Sequence, residues 1–270
     1  MRMKPLIAFL PLLALTTAGC IRIEQKLVIN SDASGSFEVT YTVPDETTQR
    51  IKSMLKLANE LSEAGGETPP PPAEDDFTAL LFDPQEAMLR RRIESYAPLG
   101  IHLDELEVTP RNAQREVKLT LRFDNIAEVA KADFFANYGF SLVKSSAGDY
   151  VFYTRPMTKD KLDSVWQSED QDAYKMMAPL LGGFHFELEI QTPGTIVKAS
   201  NPDRQTPVSA LWIYDFNSDQ MAVANLQRKQ MTIVFNSQGL NLPEFQQPAR
   251  AASTTTPPSI PTNFPPVPAP

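Results

Sequence analysis

Alternation of apolar and polar residues is the most frequent pattern along this chain. Residues 21–29 and 37–43 both alternate, and the Asn-Ser-Asp-Ala-Ser-Gly stretch at 30–35 between them is typical of a turn. Further alternating segments lie at 101–109, 116–123, 139–144, 149–154, 184–190, 195–200, 210–216 and 230–235. The pattern therefore predicts mostly antiparallel strands, beginning with a hairpin.

Apolar residues at helical spacing predict about four helices between these strands. The first follows Pro44-Asp45 and ends at Gly65-Gly66. The second begins at Asp83-Pro84-Gln85-Glu86, where the spacing is that of a capping box. A short helix is expected between Asn125 and Phe135, and a longer, irregular one over 158–177.

The order of these elements predicts an α+β fold with mostly antiparallel sheets. Strand 37–43, the first two helices, strands 101–109 and 116–123, the short helix and strand 139–144 follow a β-α-β-β-α-β order. That order is typical of a ferredoxin-like core, which a C-terminal β-rich part would follow. We expect one folded domain over 20–242, with 158–183 as an optional point of subdivision. The Pro-rich residues 243–270 are predicted to be a disordered tail.

The first twenty residues have the composition of a secretory signal. Arg2 and Lys4 precede an apolar run over 5–15, and the small residues 16–19 lead to Cys20. A run of about eleven apolar residues is too short for a membrane-spanning helix, which needs about twenty. We therefore interpret residues 1–19 as a signal peptide.

Thr17-Ala18-Gly19-Cys20 resembles the lipobox of bacterial lipoproteins, although Thr17 stands where leucine is commonest. The resemblance implies cleavage before Cys20 and attachment of acyl chains such as palmitate to that residue. Cys20 is the only cysteine, so it has no disulfide partner in an exported chain. A plain signal peptide with an incidental cysteine, or a buried N-terminal helix, would be the alternative. Ile21, where some lipoproteins carry aspartate, resembles proteins sorted to the outer membrane of Gram-negative cells.

Charge excludes some classes of partner. The formal net charge is −8, and it becomes −10 once Arg2 and Lys4 leave with the leader. A chain this acidic is repelled by nucleic acid and by anionic headgroups. We therefore expect no nucleic-acid binding, and a membrane attachment that depends on the N-terminal lipid.

The sequence contains few groups suited to catalysis or metal binding. Only two histidines occur, His102 and His185, and neither has zinc-type spacing with another ligand. His185, Glu187 and Glu189 project from one face of a predicted strand, with neighbours about 7 Å apart. Such a separation suits the carboxylates of an inverting glycosidase. Alternation alone also produces this row, and a solvated face paired with Lys198 or Arg204 is the interpretation we favour. We predict no catalytic residue, no metal and no cofactor.

A second resemblance lies in the C-terminal strands. The segment from Phe184 to Asn201, with Thr192-Pro193-Gly194 between its strands, is followed by Leu211-Trp212-Ile213. This is similar to the strand–Pro-Gly–strand–Ser-Asn pattern of LppM-like bacterial lipoproteins. The resemblance implies an anchored, non-catalytic envelope protein that binds an envelope protein, cell wall or lipid, or assists envelope assembly. A carrier of an apolar ligand such as lipid, and a hydrolase using the His185 row, remain as alternatives.

Overall fold

A computed structural model describes residues 21–50, 52–53, 56, 83–136, 138–154, 183–219 and 221–246. The leader with Cys20 lies outside these residues. So do the predicted helix at 158–177, the optional subdivision near 158–183, most of the first predicted helix and most of the predicted tail.

Strands make up most of the regular structure in the described residues. They are β1 (Arg22–Ile29), β2 (Gly35–Pro44), β3 (Ile101–Arg111), β4 (Gln114–Phe123), β5 (Ser141–Lys144), β6 (Tyr150–Tyr153), β7 (His185–Gln191), β8 (Ile196–Ala199), β9 (Arg204–Gln205), β10 (Ser209–Asp215), β11 (Thr232–Phe235) and β12 (Phe245–Gln246). The α-helices with defined bounds are α1 (Glu86–Glu94), α2 (Ile126–Val129), α3 (Asp133–Ala136) and α4 (Ala222–Arg228). A 3-10 turn covers Ala97–Leu99, and residues 45–50 are also helical.

The strands form two sheets. A seven-stranded sheet, here called the large sheet, has the order β3-β4-β2-β1-β7-β10-β9. A five-stranded sheet, the small sheet, has the order β12-β5-β6-β11-β8. Every pair in the described part of the chain is antiparallel except β1–β7, which is parallel. The α+β prediction is therefore wrong, because the protein is mostly β, with short helices attached to two sheets.

The ferredoxin-like arrangement is also wrong. Strands β2, β3 and β4 lie in the large sheet, but the strand predicted to complete that core, β5, pairs with β6 in the small sheet. The place beside β2 is taken by β1, whose other neighbour is β7. The C-terminal strands form no separate part, since β7, β9 and β10 join the large sheet and β8, β11 and β12 the small one. Phe245 and Gln246, in the predicted tail, pair with β5.

The hairpin predictions are confirmed by the pairing of the strands. Strands β1 and β2 pair from Arg22 opposite Thr42 to Ile29 opposite Gly35. The pairs β3–β4 and β5–β6 also lie where the alternation placed them. Along β1 the inward side chains from Gln25 onward are buried, while Arg22 at the strand's start is exposed.

Aromatic side chains connect the large sheet to the small one. The ring of Phe37 on β2 lies 4.9 Å from that of Phe135 on α3. Phe135 lies 6.2 Å from Phe140, which in turn lies 5.4 Å from Phe152 on β6. All four side chains are essentially fully buried. Burying large rings contributes heavily to stability, and edge-to-face pairs such as Phe37–Phe135 add about 0.5–1.5 kcal/mol each.

The second predicted helix begins later than the capping-box pattern indicated. Helix α1 starts at Glu86, its N-cap is Gln85, and no side chain caps it. Asp83 instead binds Arg115 and Lys52 through its carboxylate, with the Lys52 Nζ–Asp83 Oδ2 distance 2.6 Å. These bonds, from Lys52 first, hold the pKa of Asp83 below its usual range. Asn125, by contrast, caps α2 as predicted, since its side chain accepts a hydrogen bond from the Ala127 N–H at 2.9 Å.

Two buried polar atoms on the inner face of the large sheet have no hydrogen-bond partner. They are Oε1 of Gln25 and Oη of Tyr41. Both side chains are over nine-tenths buried, and they are diagonal neighbours because Gln25 lies opposite Val39 and Tyr41 opposite Ile23. Burial raises the pKa of Tyr41 well above its usual range. An unpaired buried polar group costs about 1–3 kcal/mol, so a hydrogen-bond partner for either atom would stabilise this part of the core.

Replacing Gly35 with alanine should test the hairpin that begins the large sheet. A Cβ there would lie 1.9 Å from the Val28 carbonyl oxygen and 2.5 Å from the Phe123 ring. We expect Gly35→Ala to lower the free energy of unfolding by about 1–3 kcal/mol or more, because backbone and a packed ring must move. Chemical denaturation measures this change. Ser36→Ala, one residue along β2, is the control, and equal stability of both variants would contradict the prediction.

Candidate functional site

A group of charged side chains lies on the solvent face of the large sheet, where β1 and β7 begin and β10 ends. Arg22, His185 and Asp215 lie side by side in register on these three strands. Glu24 and Glu187 form the next row on β1 and β7. We call these five residues the His185 cluster.

The imidazole of His185 lies between two carboxylates. Its Nδ1 is 2.9 Å from Oδ2 of Asp215, and its Nε2 is 2.6 Å from Oε1 of Glu187. The His185 side chain is 15% exposed, against 25% for Glu187 and 30% for Asp215. The ring is therefore largely shielded, while the carboxylates remain partly in contact with water.

Arg22 adds a second positive group to the cluster. Its Nη2 lies 3.6 Å from Oε1 of Glu187, the oxygen that also faces His185. Its Nε contacts Glu24 on the same strand. With the Arg22 side chain 52% exposed, these pairs are screened by water and contribute at most about 1 kcal/mol each.

Hydrogen bonds shift the ionisation of Asp215. The hydrogen bond from His185 lowers the pKa of Asp215, and the backbone N–H of Asn217, which donates to Oδ1 at 2.7 Å, lowers it further. Partial burial opposes these effects without cancelling them. Asp215 therefore stays ionised below the pH at which an ordinary aspartate becomes protonated.

The geometry restricts what His185 can do chemically. A neutral imidazole carries one N–H and one lone pair, so it can donate to only one of the two carboxylates. Only the imidazolium donates from both nitrogens and satisfies Glu187 and Asp215 together. Both ring nitrogens of His185 are thus in contact with carboxylate oxygens. Together with the Arg22–Glu187 contact, these contacts of His185 connect β1, β7 and β10.

The structure brings together some of the residues proposed from the sequence and separates others. Glu189 lies one row beyond Glu187, opposite Lys26 and Leu211. Lys198 is on β8 in the small sheet, and Arg204 on β9 lies opposite Leu211, so neither is the partner proposed for the row. His102 is distant in the fold, with its Nε2 3.2 Å from Oδ2 of Asp124. Cys20 lies outside the described residues.

Sequence reasoning missed Arg22 and Asp215 as partners of His185. Their proximity arises from the parallel register of β1 with β7 and the antiparallel register of β10 with β7. Neither register is encoded locally, and β1 is far from β7 along the chain. The alternation that exposes Arg22 and Asp215 on the same face as His185 was the one available signal.

Two kinds of structural feature are absent from the described residues. Among them, no group of three histidine, cysteine, aspartate or glutamate side chains could hold a metal ion. No helix in that part of the chain has the length and apolar character required to cross a membrane.

Comparison with solved structures shows a distant similarity to a bacterial lipoprotein domain. No protein-family model matches the chain, and no curated protein matches it. The folded domain of LppM from Mycobacterium tuberculosis, solved by NMR, is similar over 80% of this chain and 89% of its own, at 11% identity and a TM-score of 0.34. A TM-score this low carries neither a fold assignment nor an activity to this chain.

Asp215→Asn should reveal the contribution of the His185 cluster through the pH dependence of stability. Because the pKa of Asp215 is lowered in the folded state, its contribution is present above the ordinary aspartate pKa and is lost as the pH falls through the lower, folded value. We expect the variant to be less stable by about 1 kcal/mol or less near neutral pH. The difference from the parent should shrink towards zero in acid, as measured by urea denaturation over a pH series.

Asp149→Asn is the matched control, because Asp149 lies in the β5–β6 turn outside the cluster. Its difference from the parent should not follow that acid profile. A difference at Asp215 that stays constant down to the most acidic pH would contradict the assignment.

Proposed function

We propose that this chain is a lipid-anchored lipoprotein of the bacterial cell envelope whose folded part binds a partner or assists envelope assembly without catalysis. The observation that carries the proposal is the order of the leader: cations, an apolar run over 5–15, small residues and then Cys20. Acylation of Cys20 explains why an exported chain contains one cysteine and no second one for a disulfide.

The energetics of acylation support stable anchoring. Each buried methylene contributes about 0.8 kcal/mol, so two or three acyl chains hold a protein in a bilayer where one would bind reversibly. The mature chain, with its formal charge of −10, has no general electrostatic attraction for anionic lipid and depends on such an anchor. In a Gram-negative host, Ile21 after the cysteine favours the periplasmic face of the outer membrane.

The His185 cluster supports the non-catalytic part of the proposal. An inverting glycosidase needs two carboxylates that flank a substrate and a water, with one of them able to donate a proton. Here Glu187 is engaged by His185 and Arg22, and Asp215 by His185 and Asn217. Charged groups that satisfy one another in this way stabilise a surface, so the folded part is better suited to binding an envelope protein, cell wall or lipid.

A carrier of an apolar ligand is the second candidate function. It is favoured by the unpartnered Gln25 Oε1 and Tyr41 Oη, which lie on the inner face among apolar side chains. A ligand hydroxyl could donate to the amide oxygen and accept from the phenol. Ile23, opposite Tyr41, also points inward but is only partly buried, so the inner face is accessible near the start of β1.

Mass spectrometry of the mature protein from bacterial membranes tests the anchor. We expect the N-terminal peptide to begin at Cys20 and to carry the mass of a diacylglycerol, usually with a further acyl chain. Cys20→Ala should abolish cleavage and incorporation of labelled palmitate. Ser34→Ala, a substitution in the β1–β2 turn, should leave both unchanged. An unmodified Cys20 thiol, or a retained leader in the parent protein, would refute the anchor.

Tyr41→Phe tests the carrier. The substitution removes a buried hydroxyl that has no partner, so stability should be unchanged or higher by about 1 kcal/mol in thermal denaturation. Lipid co-purifying with a chain that starts at Ile21, measured by mass spectrometry of solvent extracts, should decrease in the variant. Tyr153→Phe, on β6, is the control and should retain the parent's lipid. Absence of lipid from the parent protein would exclude this candidate.

A further inference from the structure

The two ends of the large sheet differ in their relation to Cys20. Strands β1 and β7 begin, and β2 and β10 finish, at the end that contains Arg22, Pro44, His185 and Asp215. We call this the anchor end. The opposite end contains Ile29, Gln191 and Ser209 and is called the far end.

No spacer separates Cys20 from the sheet. The next residue, Ile21, is only 9% exposed, and its carbonyl oxygen accepts a hydrogen bond from the His185 N–H at 2.9 Å. Consecutive Cα atoms are about 3.8 Å apart, so an acyl group on Cys20 starts within one residue of fixed sheet backbone. The sheet therefore cannot move far from the surface that holds the lipid.

An exposed apolar side chain lies near the same end. Asp219 N–H donates to the Asp215 carbonyl at 2.9 Å, and Met221 N–H donates to the Asp219 carboxylate at 2.8 Å. These bonds hold Met221 close to the end of β10, and the residue is 45% exposed. Single exposed apolar residues are ordinary on protein surfaces, so the informative fact is that Met221 lies near the anchor end.

The β3–β4 hairpin tip also lies at the anchor end. The β4 residue Gln114 is opposite both Pro44 and Arg111, which places the tip beyond the row that contains Arg22. The Arg111 side chain is 66% exposed. A long cationic side chain and a flexible apolar one are both compatible with the headgroup layer of a bilayer.

We propose that the anchor end of the large sheet is a membrane-contact surface, on which Met221 and the Arg111 hairpin tip meet the lipid headgroup layer. The inference rests on acylation of Cys20, because that bond brings this end to the bilayer. The surface fixes the orientation of the protein, with β1 rising from the membrane and the far end directed into the aqueous compartment. The His185 cluster then lies close to the lipid surface.

Met221 and Val208 provide a matched pair of positions for the test. Val208 is 41% exposed, nearly the same as Met221, and directly precedes the first residue of β10 at the far end. The seven residues of β10 separate the two positions by about 20 Å at a strand rise of about 3.4 Å per residue. In the acylated protein Cys20 carries lipid, so Met221→Cys or Val208→Cys supplies the thiol available for labelling.

The experiment uses the full acylated protein with a solvent-sensitive fluorophore on each thiol, reconstituted in phosphatidylcholine vesicles. We expect the label at 221 to shift to the blue and to be quenched by brominated acyl chains about twofold or more strongly than the label at 208. Arg111→Glu in the Met221→Cys background should weaken that quenching, and Arg204→Glu, on β9 near the far end, should not.

The outcomes distinguish a wrong orientation of the protein from a wrong assignment of its lipid anchor. Equal quenching at the two positions, or stronger quenching at 208, would overturn the orientation while leaving the anchor intact, provided that the labelled protein still shows the acyl mass on Cys20. Absence of that mass would refute the proposed anchor itself, and with it the basis for this surface. Mass spectrometry of the same samples separates the two failures.

Discussion

The parallel pairing of β1 with β7 is the constraint on which the rest of the structure depends. It joins the first described strand to one that follows residue 183, and it places β2 and β4 on one side and β10 on the other. The same register sets Arg22 beside His185 and Glu24 beside Glu187. A shift of one residue would send the charged side chains of β1 into the core, so burial of Leu27 and Ile29 fixes the register as firmly as the hydrogen bonds do.

Local features of this fold were readable from the sequence, whereas long-range pairing was not. Alternation identified β1–β2, β3–β4 and β5–β6, because in a hairpin the turn chemistry and the periodicity lie within one segment. The assignment of β5 to the small sheet also involves pairing with β12, about 100 residues further along the chain, which no local pattern expresses. Helix α4 and the short strand β9 lacked a periodicity long enough to be recognised.

In the candidate site, too, the local pattern was readable from the sequence and the long-range partners were not. The row of His185 and Glu187 followed from alternation, and both residues belong to the cluster. Asp215 and Arg22, on neighbouring strands, contact the residues of this row and change its interpretation. The two apparent catalytic groups, His185 and Glu187, become members of a charged network across three strands. Charge spacing along one strand is therefore insufficient to distinguish a catalytic pair from a surface network, because the deciding partners lie on neighbouring strands.

The long interval between β1 and β7 has a consequence for folding under the proposed export of this chain. Arg22 and His185 are about 160 positions apart, and contacts so distant in sequence form slowly because a large loop must close first. During translocation β1 and β2 would emerge well before β7, leaving one edge of β1 unpaired while the C-terminal half is still being delivered. Such an edge invites pairing with other chains. The proposed lipid anchor would hold the β1–β2 hairpin at the membrane surface during that interval.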